Sequence, residues 1–154
     1  MKRWITLLIF AGASSALAQT SLGIGASYNF LTGGGNLSNQ SFSVHLDQGG
    51  FLVGSRIEAG LQQGNNPGFN VKAAVTADVP ATLGFKLKVG AGPELLRDTK
   101  NNGWVVSGYV FVSPEFELAL GLSAFAEVAY SKVLFTDFAT PDNIGVKAGV
   151  RFTF

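Results

Sequence analysis

Apolar and polar residues alternate with a period of two along most of this chain, most regularly at its end. From residue 143 to residue 154, the even-numbered positions are apolar and the odd-numbered positions carry polar side chains or glycine. Successive side chains of a β-strand point to opposite faces, so this pattern predicts a strand with one apolar and one polar face. Residues 20–30 repeat the pattern.

The same alternation, broken by turn-forming residues, predicts eight strands. They cover residues 20–30, 41–48, 51–62, 69–79, 84–95, 104–113, 117–131 and 143–154. A strand of about ten residues is long enough to cross a bilayer when it is tilted. Residues 104–113 are apolar on both faces, so the sequence does not show which face of this strand points inward.

The predicted connections alternate in length. Short turns are predicted at residues 48–50, 80–83 and 114–115, and longer polar loops at residues 31–40, 63–68, 96–103 and 132–142. Short periplasmic turns and longer external loops are typical of bacterial outer-membrane barrels. An even number of strands would place both chain ends on the periplasmic side.

The pairing registers can be predicted where turns or charges constrain them. A two-residue turn at Gly49-Gly50 is a good hairpin former, and it would set Asp47 opposite Leu52 and His45 opposite Gly54. This register keeps the polar faces of both strands on the same side of the sheet.

Opposite charges constrain two further registers. Opposite charges directly across a strand pair are favourable, which suggests that Glu58 faces Lys72 and that Glu127 faces Lys147.

The overall composition narrows the fold class. The chain is 47% hydrophobic with a mean hydropathy of +0.29, yet beyond residue 18 it has no apolar run as long as a membrane helix requires. A transmembrane barrel instead spreads its apolar residues over alternate positions. We therefore predict an all-β, eight-stranded, antiparallel up-and-down transmembrane β-barrel. A soluble periplasmic barrel, with its apolar face turned inward around an apolar ligand, is the alternative.

The N-terminus predicts export. Lys2 and Arg3 precede an apolar run at residues 4–10, and the segment Ala16-Leu17-Ala18 resembles a signal-peptidase cleavage site. We expect residues 1–18 to be a cleaved signal peptide and residues 19–154 to form one outer-membrane barrel domain.

The absence of cysteine excludes disulfides and thiolate metal sites, and we expect no cofactor. The near-neutral charge does not favour a nucleic-acid partner.

The polar faces of the predicted strands carry many ionisable residues. This predicted lumen charge network comprises Arg56, Glu58, Lys72, Asp78, Lys86, Lys88, Glu94, Glu127, Lys147 and Arg151, with Asp47 on the same face. Eight strands enclose an interior just wide enough for side chains to fill. Isolated charges in such an interior are unfavourable, so we expect paired charges that close the lumen, and a selective pore is the alternative.

One cluster suggests catalysis. Ser43, His45 and Asp47 share one face of a predicted strand, and they are the residue types of a hydrolase triad. Strand residues two apart lie about 6–7 Å from each other, which is too far for direct hydrogen bonds between short side chains. We therefore expect no catalytic residues, and no carboxylate spacing here matches a calcium-binding loop.

Aromatic residues are expected near both rims of the barrel. The outer group is Tyr28, Phe30, Phe42, Phe69, Trp104 and Tyr130, and the inner group is Phe51, Phe85, Phe116, Phe152 and Phe154. Two aromatic girdles are typical of proteins that cross a membrane, because these rings favour the lipid–water interface.

The final eleven residues, Ile-Gly-Val-Lys-Ala-Gly-Val-Arg-Phe-Thr-Phe, resemble the terminal strand of bacterial outer-membrane proteins. The whole region after residue 18 is similar to the small barrel family typified by outer membrane proteins A and X. The resemblance implies that Val150, Phe152 and Phe154 carry an assembly signal. It also implies periplasmic chaperones, the barrel-assembly machinery and outer-membrane lipid as partners.

The sequence therefore predicts a non-enzymatic protein of the cell outer membrane. Its expected role is structural, in envelope integrity or in the display of short surface loops. A narrow channel and the soluble ligand-binding barrel remain the alternative functions.

Overall fold

The described residues form a single antiparallel sheet that closes into a barrel. A computed structural model describes residues 19–32, 38–49, 52–82 and 84–154. The strands are β1 (Gln19–Leu31), β2 (Ser38–Gly49), β3 (Val53–Gly64), β4 (Gly68–Thr82), β5 (Phe85–Asp98), β6 (Gly103–Ala119), β7 (Leu122–Thr136) and β8 (Asn143–Thr153). Each strand pairs with the next along the chain, and β8 pairs with β1. The predicted eight-stranded up-and-down barrel is confirmed.

Some predictions fall outside the described residues. They are the signal peptide at residues 1–18, the ring of Phe51 and the middle of the first long loop. Within the described residues, no helix is long and apolar enough to cross a membrane.

The alternation places apolar side chains outside the barrel and charged side chains inside. On neighbouring positions of β3, Ile57 is 61% exposed whereas Arg56 and Glu58 are 1% and 3% exposed. On β4, Val75 is 64% exposed and its neighbour Ala74 is buried. A soluble barrel around an apolar ligand requires the reverse arrangement, so that alternative is wrong. The outer surface is suited to lipid contact.

The structure assigns the faces of β6, which the sequence left open. Tyr109 and Phe111 point into the barrel and are 2% and 3% exposed, whereas Val110 and Val112 are about half exposed on the outside. The inward rings pack against Ala74 of β4 in a small apolar cluster. The interior is therefore partly aromatic, which explains why both faces of this strand are apolar in sequence.

The predicted turn at residues 114–115 is wrong, and so is the single strand predicted over residues 117–131. Strand β6 runs through Pro114 to Ala119, and the chain turns at Leu120 and Gly121, where Gly121 has a φ of 75°. Proline lacks a backbone N–H, and the β6–β7 pairing is interrupted beside it. There the Ser113 hydroxyl donates to the Ala126 carbonyl at 3.0 Å, so the strand continues past the proline.

The register predicted for the β2–β3 hairpin is also wrong. His45 lies opposite Glu58 and Asp47 opposite Arg56, because the last pair of the hairpin is Gly49 with Gly54, and four residues rather than two lie between them. The shift is an even number of positions, so it preserves the faces while bringing opposite charges together. The registers predicted from charge, Glu58 opposite Lys72 and Glu127 opposite Lys147, are confirmed.

Exposed aromatic rings lie near both ends of the barrel. We call the end that carries residues 65–67, 99–102 and 137–142 the loop end, and the end that carries both termini of the barrel the terminus end. The rings of Phe69 and Trp104 meet edge to face at 6.1 Å near the loop end. Those of Phe85 and Phe116 lie 4.9 Å apart near the terminus end. This arrangement is suited to two membrane interfaces.

Replacing Val75 with arginine should destabilise the barrel if its outer face contacts lipid. A charged side chain near the middle of the lipid-facing band costs about 2–4 kcal/mol. The free energy of unfolding, measured by denaturant titration in lipid vesicles, should fall by this amount for Val75→Arg and change little for Val75→Leu. Equal stability of Val75→Arg and wild type would show that the outer face is wrongly assigned.

Candidate functional site: the ionic lumen

Charged side chains from seven of the eight strands meet inside the barrel. We call this set the ionic lumen; it consists of Asp47, Arg56, Glu58, Lys72, Asp78, Lys88, Glu94, Glu115, Glu127, Lys147 and Arg151. Each residue occupies an inward position of its strand. Removing such charges from water is unfavourable, so their stability depends on how completely they are paired.

Arg56 links strands on opposite walls of the barrel. Its Nε lies 2.6 Å from Oδ1 of Asp47 on the adjacent strand β2. Its Nη1 donates at 2.6 Å to Oε2 of Glu127, which projects from β7 on the far side. A guanidinium group can bind two carboxylates in different directions because its donors are fixed in one plane. Arg56 therefore joins β2, β3 and β7 through the interior.

Lys147 makes a second connection across the lumen. Its Nζ lies 2.6 Å from Oε2 of Glu58 on β3 and 2.8 Å from Oε1 of Glu127 on β7. Glu127 thus accepts from both Arg56 and Lys147. The side chains of Lys147, Glu58 and Glu127 are at most 5% exposed, so bulk water screens these contacts little.

Arg151 extends the network towards the terminus end. One of its Nη atoms lies 3.1 Å from Asp47, and the other pairs with Glu115 of β6. An unbroken series of ion pairs results. In order, it runs Glu115, Arg151, Asp47, Arg56, Glu127, Lys147 and Glu58.

Two lysines complete the ionic lumen at its edges. Lys88 lies 3.0 Å from Asp78 and 3.8 Å from Asp47, which attaches it to the series. Lys72 lies 3.3 Å from Glu94. Towards the loop end, Glu94 also accepts hydrogen bonds from the side chains of Ser131 and Asn70. Opposite charges are therefore paired along most of the interior.

Lys86 differs from the other residues of the predicted network. It is exposed at the terminus end and forms no ion pair with any described residue.

Glu115 was missed because a turn was predicted at that position. Continuing the inward face of β6 through Pro114 would have found it.

Three aromatic rings line the lumen beside the cations, and sequence reasoning did not place them there. The Arg56 guanidinium lies 4.4 Å from the centre of the Phe111 ring, and the Lys72 ammonium 5.2 Å from that of Tyr109. Arg151 lies 5.2 Å from the centre of the Phe125 ring. Cations are attracted to ring faces, more strongly where water is excluded. The rings therefore fill space between the ion pairs while solvating the cations.

His45 is part of the packed interior and not of a hydrolase triad. It is 1% exposed, and its Nε2 lies 3.3 Å from Arg151 and 3.8 Å from Asp47. Within the described residues, the Ser43 hydroxyl has no hydrogen-bond partner. A Cβ added at Gly23 would overlap the imidazole, so glycine makes room for the ring beside β1.

The described residues leave a cavity at each end of the lumen. A cavity of about 480 Å³ opens at the terminus end and is lined by Lys86, Glu115, Glu117 and Ser123 among others. Among the described residues, a cavity of about 20 Å³ lies at the loop end. There the Asn66 side chain donates at 3.2 Å to Thr140 and crosses the mouth of the barrel. The ionic lumen separates the two cavities.

Solved structures with the same architecture include natural outer-membrane barrels and a designed transmembrane barrel. The N-terminal β-barrel domain of Pseudomonas aeruginosa OprF superposes with a TM-score of 0.69 at 14% identity, covering 89% of this chain and 99% of that one. Neisserial surface protein A gives 0.67 at 10% identity, covering 89% and 97%. A de novo designed transmembrane β-barrel gives 0.66 at 10% identity, covering 90% and 97%. This chain has the fold of the eight-stranded outer-membrane β-barrels.

The resemblance noted in the sequence is thereby confirmed at the level of the fold. No protein-family model matches the sequence, and no curated protein matches it either.

In the proposed assembly signal, Val150 and Phe152 lie on the outer face of β8, which pairs with both β7 and β1, and Phe154 follows the last residue of this strand. Phe152 is 49% exposed and Phe154 is 76% exposed, while Val150 is half-buried. β8 therefore presents an apolar stripe to the outside at the seam where the barrel closes.

At the loop end, the carboxylate of Asp142 accepts two local hydrogen bonds. The Tyr130 hydroxyl donates to Asp142 at 2.7 Å, and the Val133 amide donates to it at 2.8 Å. These donors hold the pKa of the Asp142 carboxyl below its usual range. Among the described residues, no cluster of three His, Cys, Asp or Glu side chains is arranged to hold a metal ion.

Two lysines provide a matched test of the ionic lumen. Lys147→Gln leaves Glu58 and Glu127 without their shared cation, and breaking a buried ion pair costs about 3–5 kcal/mol. Lys86→Gln removes an exposed charge and should change stability by less than about 0.5 kcal/mol. Denaturant titration in vesicles measures both. Equal effects of the two substitutions would show that the lumen pairs do not stabilise the barrel.

Proposed function

We propose that this protein is an integral outer-membrane barrel with a closed interior and a structural, non-enzymatic role in the envelope. The observation that carries this proposal is the ionic lumen, whose pairs run from Glu115 to Glu58 and join opposite walls. Because eight strands leave little space beyond their side chains, such a network blocks the interior. The barrel would contribute to envelope integrity and would display its loops outside the cell.

The proposed location follows from surface chemistry together with the N-terminal sequence. The outer wall is apolar around its circumference, which favours insertion in lipid. Residues 1–18 have the pattern of an export signal, and an exported barrel of this kind would reach the outer membrane. The structural relatives include outer-membrane proteins, which supports the same location.

The proposed partners are outer-membrane lipid, periplasmic chaperones and the barrel-assembly machinery. The last two follow from the resemblance of the final strand to terminal strands of outer-membrane proteins. Val150, Phe152 and Phe154 would be read by the machinery while β8 is still unpaired. Their outward position in the finished barrel is compatible with that role, since it leaves them free of the ionic lumen.

A narrow channel is the second candidate function. The cavity at the terminus end reaches Glu115, so an ion could enter the lumen from that side. To pass further it would have to separate Arg151 from Glu115 and Asp47, which are held in a water-poor interior. We therefore favour the closed barrel.

Cell fractionation tests the proposed location. The full-length protein should lose residues 1–18, fractionate with outer membranes and migrate faster on electrophoresis unheated than after boiling, because a folded barrel resists detergent. A chain lacking residues 1–18 should remain in the cytoplasm. Recovery of the mature protein from the soluble periplasm would overturn the proposal.

Planar-bilayer recordings distinguish the closed barrel from the channel. The purified mature protein should give no reproducible single-channel steps, since the paired side chains fill the lumen. Reproducible steps that change in Glu58→Ala or Lys72→Ala, but not in Lys132→Ala on the outer face of β7, would instead establish a channel through the ionic lumen.

A further inference from the structure

Two charged residues point outward from the described strands, and both are cations near the loop end. Arg97 of β5 shares an outward face with Leu95, and Lys132 of β7 shares one with Leu134. Every other charge on a described strand occupies an inward position or lines the cavity at the terminus end. A charge on a lipid-facing wall is tolerated best near the membrane interfaces, so the depth of these two side chains decides what they contact.

Arg97 lies where the β5–β6 ladder ends. It is opposite Trp104, and the next pair, Asp98 with Gly103, is the last of the ladder. Its guanidinium lies 5.1 Å from the centre of the Trp104 ring and donates to the main-chain and side-chain oxygens of Asn102. These partners are uncharged, and Arg97 forms no ion pair with any described residue. Its positive charge is therefore left without a counter-anion beside an interfacial aromatic ring.

Lys132 occupies the corresponding position on β7. It follows Ser131, the last β7 residue that pairs with β8, and lies opposite Gly108 of β6. Tyr130 and Leu134 flank it on the outward face and are 40% and 67% exposed. The aliphatic stem of a lysine can lie along such apolar groups while its ammonium reaches the membrane interface.

The acidic residues of the loop end are held by donors of their own loops. Asp98 accepts two hydrogen bonds from the β5–β6 turn, Asp137 accepts one from the β6 backbone at 3.0 Å, and Asp142 accepts the two already described. Lys132 attracts Asp142 through space but forms no ion pair with it. Thus the carboxylates are directed into the loops, whereas the two cations remain on the wall.

We propose that Arg97 and Lys132 bind the phosphate groups of anionic lipid in the leaflet at the loop end. Lipid is the occupant because both cations project from the outer wall among side chains suited to lipid contact, and an anionic headgroup complements their charge. A guanidinium offers several donors in one plane, which matches phosphate oxygens, and an ammonium acts as a point charge. The inference rests on the proposed function, because it requires that the barrel cross a membrane.

The preference for anionic lipid would be confined to one leaflet. On the described strands, the outward positions near the terminus end carry no charge, whereas those near the loop end carry two cations. The barrel would therefore gather phosphate-bearing lipid around its loop end and accept uncharged or zwitterionic lipid elsewhere.

A single tryptophan makes binding at Arg97 measurable. The chain contains Trp4 and Trp104, so the mature protein without residues 1–18 retains Trp104 alone. Lipid with brominated acyl chains quenches the fluorescence of a neighbouring indole. The mature protein is folded into mixed vesicles of phosphatidylglycerol and phosphatidylcholine in which one or the other lipid is brominated, and the quenching gives their relative association constant at Trp104. We expect phosphatidylglycerol to be favoured about fivefold, which is the effect of one basic residue near an anionic surface.

Three substitutions assign that preference to the charge of Arg97. Arg97→Gln should lower the relative association constant to about one. Arg97→Lys loses the same guanidinium contacts with Asn102 but keeps the charge, so it should retain most of the preference. Lys86→Gln removes a cation that lines the cavity at the terminus end, and it should leave the wild-type value unchanged.

A second reporter measures binding at Lys132. In the variant Trp104→Phe/Leu134→Trp, the only indole lies two positions from Lys132 on the same outward face. Phosphatidylglycerol should again be favoured about fivefold, and adding Lys132→Gln should bring the relative association constant to about one.

The outcomes separate this inference from the proposed function. Equal association of the two lipids in wild type, or a preference that survives Arg97→Gln, would overturn the inference while leaving the membrane barrel intact. A third reporter, Trp104→Phe/Val75→Trp, reports the middle of the outer wall and should be quenched by both lipids. If neither lipid quenches the indole at residue 75 or at residue 104, the outer wall does not contact lipid and the proposed function fails as well.

Discussion

The fold and the stability of this barrel depend on keeping ionised side chains inside a closed sheet whose outer wall is apolar. A strand can satisfy both requirements because its side chains alternate between two faces, and closure removes the unpaired edges that lipid could not satisfy. The remaining requirement is that the enclosed charges find partners. Arg56 and Lys147 meet this requirement by reaching across the interior. Arg56 binds carboxylates of β2 and β7, and Lys147 binds carboxylates of β3 and β7.

The same contacts connect stability to function. An ion pair between adjacent strands would reinforce only a hydrogen-bonded ladder that is already formed. A pair such as Lys147 with Glu58 joins walls that share no ladder, so it holds the cross-section of the barrel and occupies the space that a permeating ion would need. The aromatic rings of Tyr109, Phe111 and Phe125 fill the gaps between these pairs. In the proposed closed barrel, the contacts that stabilise the wall are also the contacts that block the interior.

The sequence predicted most of this fold because the alternation is a local signal. It located the strands, their faces and the pairing of Glu58 with Lys72. It did not assign the faces of β6, since inward Tyr109 and Phe111 make both faces apolar. It placed a turn at Pro114, whereas the strand continues because the Ser113 hydroxyl bonds the carbonyl beside the break.

The cross-lumen partners could not be predicted from the sequence. Arg56 and Glu127 are 71 residues apart along the chain and belong to strands that are not neighbours. Their contact depends on barrel circumference and side-chain direction, which only the closed structure provides.

The central claim is that apolar side chains face lipid while their immediate neighbours face a closed interior. Magnetic cross-relaxation between lipid acyl-chain protons and protein methyl groups, measured by NMR on the barrel in lipid, tests it on two adjacent residues. The account predicts transfer from acyl chains to the methyl groups of Val75 and none to that of Ala74. Transfer to Ala74 without transfer to Val75 would contradict it.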